Sequence, residues 1–339
     1  MRNITYSNKL QDRDHVIDFT KGFLVIAMVV YHTLNYFLPT FDRLFAYVSF
    51  VTWAFIFYSG FMCGTIYFKR FIINREAVYK RLSVRALKLI LLYIIINLLI
   101  YVFIKSNEEC VHFNSRTVYD NFVLIFFSGG NQFTDFNVLL PIAYTLLICA
   151  PLIGLHKFKY PVYFILISVF VLLSFINVTT HNINCVLTGI LGVFTGLIFN
   201  ELHPKLYITS IRYMGFLFLM LFLFLVIPYE PRTYLLGFII YIILVIYNLH
   251  SLGMLTASFK VVTYSIDKLG QYSLFLYLAQ IAILQVFRKL FWFSSSSITI
   301  DHVLIFVFVN VFLLVLCYLA DYLRKNITFI DKAYLFVFS

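Results

Sequence analysis

Charge is what this chain has least of. Asp, Glu, Lys and Arg make up 12% of its 339 residues, about half the share found in soluble domains, which excludes an ordinary soluble globule. Acids are the scarcest, with 15 Asp and Glu against 26 Lys and Arg. The five cysteines, at positions 63, 110, 149, 185 and 317, show no CxxC pair and no zinc spacing, so the common metal modules are excluded. Cys63, Cys149 and Cys317 fall in apolar runs, where a thiol behaves as a small hydrophobe. Cys110 and Cys185 lie toward one side and would pair only in an oxidising compartment. GxSxG, P-loop and HExxH motifs are all missing, which removes serine hydrolases, P-loop NTPases and zincins. No internal repeat stands out, which argues against transporters built from duplicated halves.

Apolar sequence fills the space that charge leaves. The chain is 62% hydrophobic with a mean hydropathy of +0.91, and its apolar runs recur at lengths that cross ~30 Å of hydrocarbon. They fall at 17–38, 45–67, 87–104, 138–155, 160–176, 183–200, 207–228, 233–255, 272–292 and 299–321. The expected fold is all-α: a polytopic membrane protein of about ten transmembrane helices, forming one membrane domain over 1–339. Residues 1–16 form a polar N-terminal stretch and 322–339 a C-terminal tail. The first run is too long for a signal-peptide core and lacks a small-residue cleavage site, so it reads as a retained anchor. The segment 122–130 is too short to span and ends in Gly129-Gly130, which suits a re-entrant or interfacial piece.

Charge placement sets the expected orientation. With the N-terminus inside, only Arg43, Lys105, Arg116, Arg232, Arg288 and Lys289 fall outside; Lys21 lies in the first run and all other Lys and Arg fall inside. This follows the positive-inside rule and places both termini in the cytoplasm. The net charge of +11 is then an inner-surface excess facing anionic lipid, and no nucleic-acid partner is expected.

Two ionisable groups interrupt the first run. Lys21 and His32 stand eleven positions apart, three helical turns plus ~20°, so they share a face about 16 Å apart along the axis. A cation at a span's centre costs ~2.5–3.5 kcal/mol on insertion scales, so such groups face a protein interior or wet cavity. Asp18 lies one turn before Lys21. An imidazole with a pKa near 6.5 suits general-base work at neutral pH. Of eight histidines, only His32 and His250 sit well within apolar runs. Interhelical hydrogen bonding by a membrane histidine is the competing reading for both.

A second charged feature follows the second run. From Lys69 to Lys88 the chain holds seven cations and one acid, Glu76, with Arg81, Arg85 and Lys88 spaced to stack on one helical face. Two readings fit it: interfacial anchoring, or a cradle for the phosphates of a ligand such as acyl-coenzyme A.

These features together resemble the acyltransferase-3 family of integral membrane acyltransferases. Asp18-x-x-Lys21-Gly followed by His32 is similar to that family's first helix. Phe57-Tyr-Ser59-Gly60-Phe61 is similar to the end of its second, and Arg85-Ala-Leu-Lys88 to the basic opening of its third. Asn137 to Pro151 resembles the central helix of the branch containing periplasmic glucan succinyltransferases, and Leu269-Gly-Gln-Tyr-Ser273-Leu-Phe-Leu-Tyr277-Leu a late helix. The chain departs from the family at Gln280, where many relatives carry His, and lacks their central-helix glutamate. The resemblance implies a multi-pass enzyme of the inner, cytoplasmic membrane. It would move an acetyl or succinyl group from cytoplasmic acyl-CoA, a donor substrate and not a resident cofactor, to a glycan hydroxyl. His32 would be the base, with Lys21 and Asp18 completing the catalytic set. Arg81, Arg85 and Lys88 would bind the coenzyme A phosphates, and Ser59, Tyr277 and Gln280 would contact substrate; no metal is expected. The alternative is a non-enzymatic flippase or assembly partner for surface polysaccharide.

Overall fold

The computed structural model describes residues 14–37, 48–103, 138–154, 181–206, 235–257, 259–290 and 300–338, with residues 126, 136 and 168 singly. Every regular element among them is helical. In chain order these are α1 (His15–Phe37), α2 (Phe50–Met62), a π-helical turn (Cys63–Tyr67), α3 (Phe68–Ile73) and α4 (Arg75–Phe103). There follow α5 (Leu139–Gly154), α6 (His181–Leu206), α7 (Leu235–Thr256), α8 (Lys260–Gln271), α9 (Ser273–Leu290), α10 (Ile300–Asn326) and α11 (Thr328–Phe338).

Among the described residues, five helices are long and apolar enough to cross a bilayer: α1, the continuous Phe50–Ile73 stretch, α4, α6 and α10. A sixth is reached if the bent pair α8–α9 is one broken span. The ten expected crossings are therefore met in part. The run at 207–228, all of 160–176 but residue 168, and most of 122–130 lie outside the described residues. Runs 138–155 and 233–255 form the shorter helices α5 and α7. Phe126, from the 122–130 segment, accepts hydrogen bonds on its carbonyl from Tyr144 Oη (3.0 Å) and Asn182 Nδ2 (3.2 Å), so that backbone group is covered by protein as an apolar setting demands.

Two sequence boundaries need correction. The basic stretch after the second run is not a loop: α4 starts at Arg75, twelve residues before the apolar run. Asn74 separates it from α3 with an extended backbone (φ −146°, ψ 99°), and its Oδ1 accepts the Ala77 N–H at 3.0 Å, the geometry of an N-cap. Likewise the stretch between the runs at 233–255 and 272–292 is helical over most of its length. It holds α8, joined to α9 at Tyr272 through an 87° bend.

The described helices fall into two compact units. One contains α2 from Thr52 through α6. Here α2 and the π-helical turn meet α6 through glycines: a Cβ on Gly60 would overlap the Gly189 carbonyl, and one on Gly192 the Phe57 carbonyl. Small residues let backbones touch where lipid supplies no hydrophobic drive. Gly192→Ala is expected to cost about 1–3 kcal/mol, because the obstacle is backbone and cannot rotate away. Thermal unfolding of the detergent-solubilised protein measures it; a variant melting with the wild type would mean the two helices have room to part.

The second unit contains α1, α7 from Ile240, and α8 to α11. Its core centres on α1, whose Leu24, Val25, Met28 and Val29 are buried at positions that line one helical face. The helices α8, α9 and α10 all pack against α1.

Candidate functional site

The N-terminal half of α1 is clamped by α8. A Cβ on Gly22 would overlap the Ile266 carbonyl, and one on Gly270 the Asp18 carbonyl, so the two backbones touch at two points. His15 Nδ1 lies 2.5 Å from Asp267 Oδ2 across the same crossing. Asp18 is buried and its carboxylate pairs with Lys21 Nζ at 2.7 Å. The expected Asp18–Lys21 partnership is thus present, on a stretch of α1 that cannot shift without unpacking α8.

Three turns further along α1, His32 meets aromatic rings. Tyr31 stands edge-on with its centroid 5.0 Å away, Tyr36 is stacked at 5.9 Å, and Tyr277 of α9 is tilted at 6.3 Å. The structure therefore joins His32 and Tyr277. Both imidazole nitrogens are shielded from solvent and have no hydrogen-bond partner among the described residues. One turn beyond Tyr277, on the same side of α9, Gln280 is fully buried, and its amide oxygen and nitrogen are likewise without partners among the described residues. A buried unsatisfied polar group costs about 1–3 kcal/mol. Such groups are retained where they serve a ligand, water or proton. Together the ring and the amide offer donors and acceptors on the facing helices α1 and α9, the complement of a hydroxyl-bearing molecule.

Ser59 belongs to the other unit, where its hydroxyl donates to the Phe55 carbonyl at 2.8 Å. That back-bond within α2 occupies the hydroxyl as a donor. His250 is buried on α7.

The basic residues cluster around Tyr67. Arg85 Nη1 donates to Tyr67 Oη at 3.4 Å, and the Arg81 guanidinium sits 6.0 Å from the Tyr67 ring centroid. Beside them, where α3 turns into α4, lies a cavity of about 200 Å³ lined by Tyr67, Arg70, Asn74, Val78 and Arg81 among others. Its lining is almost wholly apolar, with Arg70 of α3 and Arg81 of α4 in its walls. Arg81 and Arg85 thus both meet Tyr67, but only Arg81 lines the cavity; Arg85 and Lys88 do not.

Sequence reasoning missed several residues here. Arg70 and Asn74 join the cavity only because α3 folds back on α4. Lys268, in sequence only one of the cations expected inside, is buried on α8 and pairs with Asp321 of α10 at 3.2 Å. The spacing of Val262, Ile266 and Leu269 was the available signal for that helix; nothing in the sequence pointed to its partner. Set against protein-family models, curated proteins and solved structures, the chain finds no match in any of the three comparisons.

Proposed function

We propose that this chain is a multi-pass acyltransferase of the cytoplasmic membrane, with both termini in the cytoplasm. It moves an acetyl or succinyl group from cytoplasmic acyl-CoA to a hydroxyl of a periplasmic or cell-surface glycan. The acceptor hydroxyl attacks the thioester carbonyl, its proton passes to His32, the new C–O bond forms and the C–S bond breaks. The coenzyme A thiolate leaves and takes up the proton that His32 accepted, which returns the imidazole to its neutral form. Lys21, held by Asp18, places positive charge where negative charge develops. Tyr277 and Gln280 orient the acceptor, and Arg81 and Arg85 hold the donor phosphates, with Arg70 added to them and Lys88 as a flanking cation.

The observation that carries this reading is a shielded imidazole on α1, beside Tyr277 of α9, with neither ring nitrogen hydrogen-bonded among the described residues. A merely structural histidine would spend its nitrogens on neighbouring helices. The direct test incubates purified full-length protein with radiolabelled acetyl-CoA or succinyl-CoA and a glycan extract. Acceptor-dependent release of free thiol is expected; no release with either donor sinks the proposal.

The phosphate role has its own test. Arg70→Gln with Arg81→Gln is expected to raise KM for acyl-CoA about tenfold or more while kcat changes little, because a phosphate cradle supplies largely uniform binding. An unchanged KM returns these arginines to interfacial anchoring.

A further inference from the structure

The C-terminal tail expected at 322–339 is a built element. α10 buries Ile305, Val309, Leu313 and Cys317 against its unit, while Leu304, Phe308, Val311, Val315, Leu319 and Tyr322 are 49–65% exposed. Their spacing of three and four makes one continuous stripe, the lipid face of a span. Exposed apolar residues also follow the span: on α11 Phe329 is 77% and Phe336 72% exposed, seven residues apart and so on one side of the helix.

The opposite side of α11 is fastened to the protein. Arg324 Nε donates to Asp331 Oδ1 at 3.0 Å, and its guanidinium lies 4.0 Å from the Tyr334 ring centroid. The Tyr334 ring is in turn 5.4 Å from that of Tyr272. Residues 324 and 334 would stand about 15 Å apart along one straight helix, so contact between them requires α11 to leave the α10 axis and fold back. The result is a short helix at the end of a span, with one face held by protein, aromatic residues on the other, and Lys325 and Lys332 exposed nearby.

We propose that α11 is an interfacial helix. It lies along the bilayer surface at the C-terminal end of α10, with the Phe329 face in the boundary between head groups and acyl chains and Lys332 beside anionic head groups. Amphipathic helices of this composition partition so. Lipid is favoured over a second copy of the chain on two grounds. The helix follows directly on α10, whose exposed apolar stripe is the lipid face of a span, and an eleven-residue helix presents far less than the ~800 Å² per partner of a stable interface.

The experiment places photoreactive benzoylphenylalanine at position 329 of the full-length chain in its native membrane, with the same probe at Leu304 as the lipid-facing reference. Both positions are exposed, so neither probe disturbs packing. Irradiation is expected to add phospholipid mass at both positions. A covalent dimer as the main product at 329, an adduct to another protein, or lipid at 304 without lipid at 329 overturns the proposal. The outcome does not depend on acyl transfer, so it stands or falls apart from the enzymatic reading.

Discussion

His32→Ala is expected to cut acyl transfer by about 10²–10⁴-fold, the usual contribution of a general base, while the protein still folds and inserts. The two effects separate because His32 spends neither ring nitrogen on another described residue. Removing the ring therefore strands no hydrogen-bond partner, and the cost to stability is confined to its packing against Tyr31, Tyr36 and Tyr277. The measurement is thiol release from acyl-CoA by purified full-length protein, with thermal unfolding run beside it. Turnover above about a tenth of wild type would remove His32 from the chemistry, since no general base contributes so little. A histidine that merely bridges helices would give the reverse pattern, with lost stability and residual turnover. Gln280→Leu sharpens the contrast. It replaces a fully buried amide by an apolar group of similar size, so stability should hold or rise while KM for the glycan acceptor climbs.

How much of this was legible in the sequence depends on which force sets each feature. Apolar runs mark the part of a helix that lipid or core must cover, so the starts of α1, α9 and α10 fell within two residues of expectation. Helices continue past that part wherever capping allows. Hydropathy placed the third helix at 87, but Asn74 starts α4 at Arg75, carrying the basic residues on helix and not on loop. The break at Tyr272 coincided with the start of the ninth run, yet α8 before it was unread because its charges masked the spacing of its apolar residues. Local partnerships were readable: Asp18 and Lys21 are three residues apart and do pair. Distant ones were not. No spacing rule brings His32 to Tyr277, or Lys268 to Asp321, because those contacts depend on which helices neighbour one another.

Asp321→Ala should be among the most destabilising single changes in the second unit, at about 3 kcal/mol, the lower end for breaking a buried ion pair because Asp321 is partly exposed. Its carboxylate gathers Lys268 Nζ at 3.2 Å, Lys325 Nζ at 2.7 Å and the Tyr272 hydroxyl at 2.9 Å. Lys268 decides the size of the effect. Its side chain is only 5% exposed, so losing Asp321 strands an ammonium that water cannot reach. Lys325 is 46% exposed and simply returns to solvent. Lys268→Met with Asp321→Leu removes both charges and should recover most of the lost stability, as apolar replacements of buried pairs usually do. The functional consequence follows from position. Asp321 and Arg324 hold Tyr272 at the bend from which α9 sets out, and α9 carries Tyr277 and Gln280 to the His32 face of α1. Loosening that pivot should lower turnover in Asp321→Ala, and the double replacement should restore turnover together with the melting temperature. Recovered stability without recovered turnover would mean that the charges act in the chemistry and do more than fix the bend.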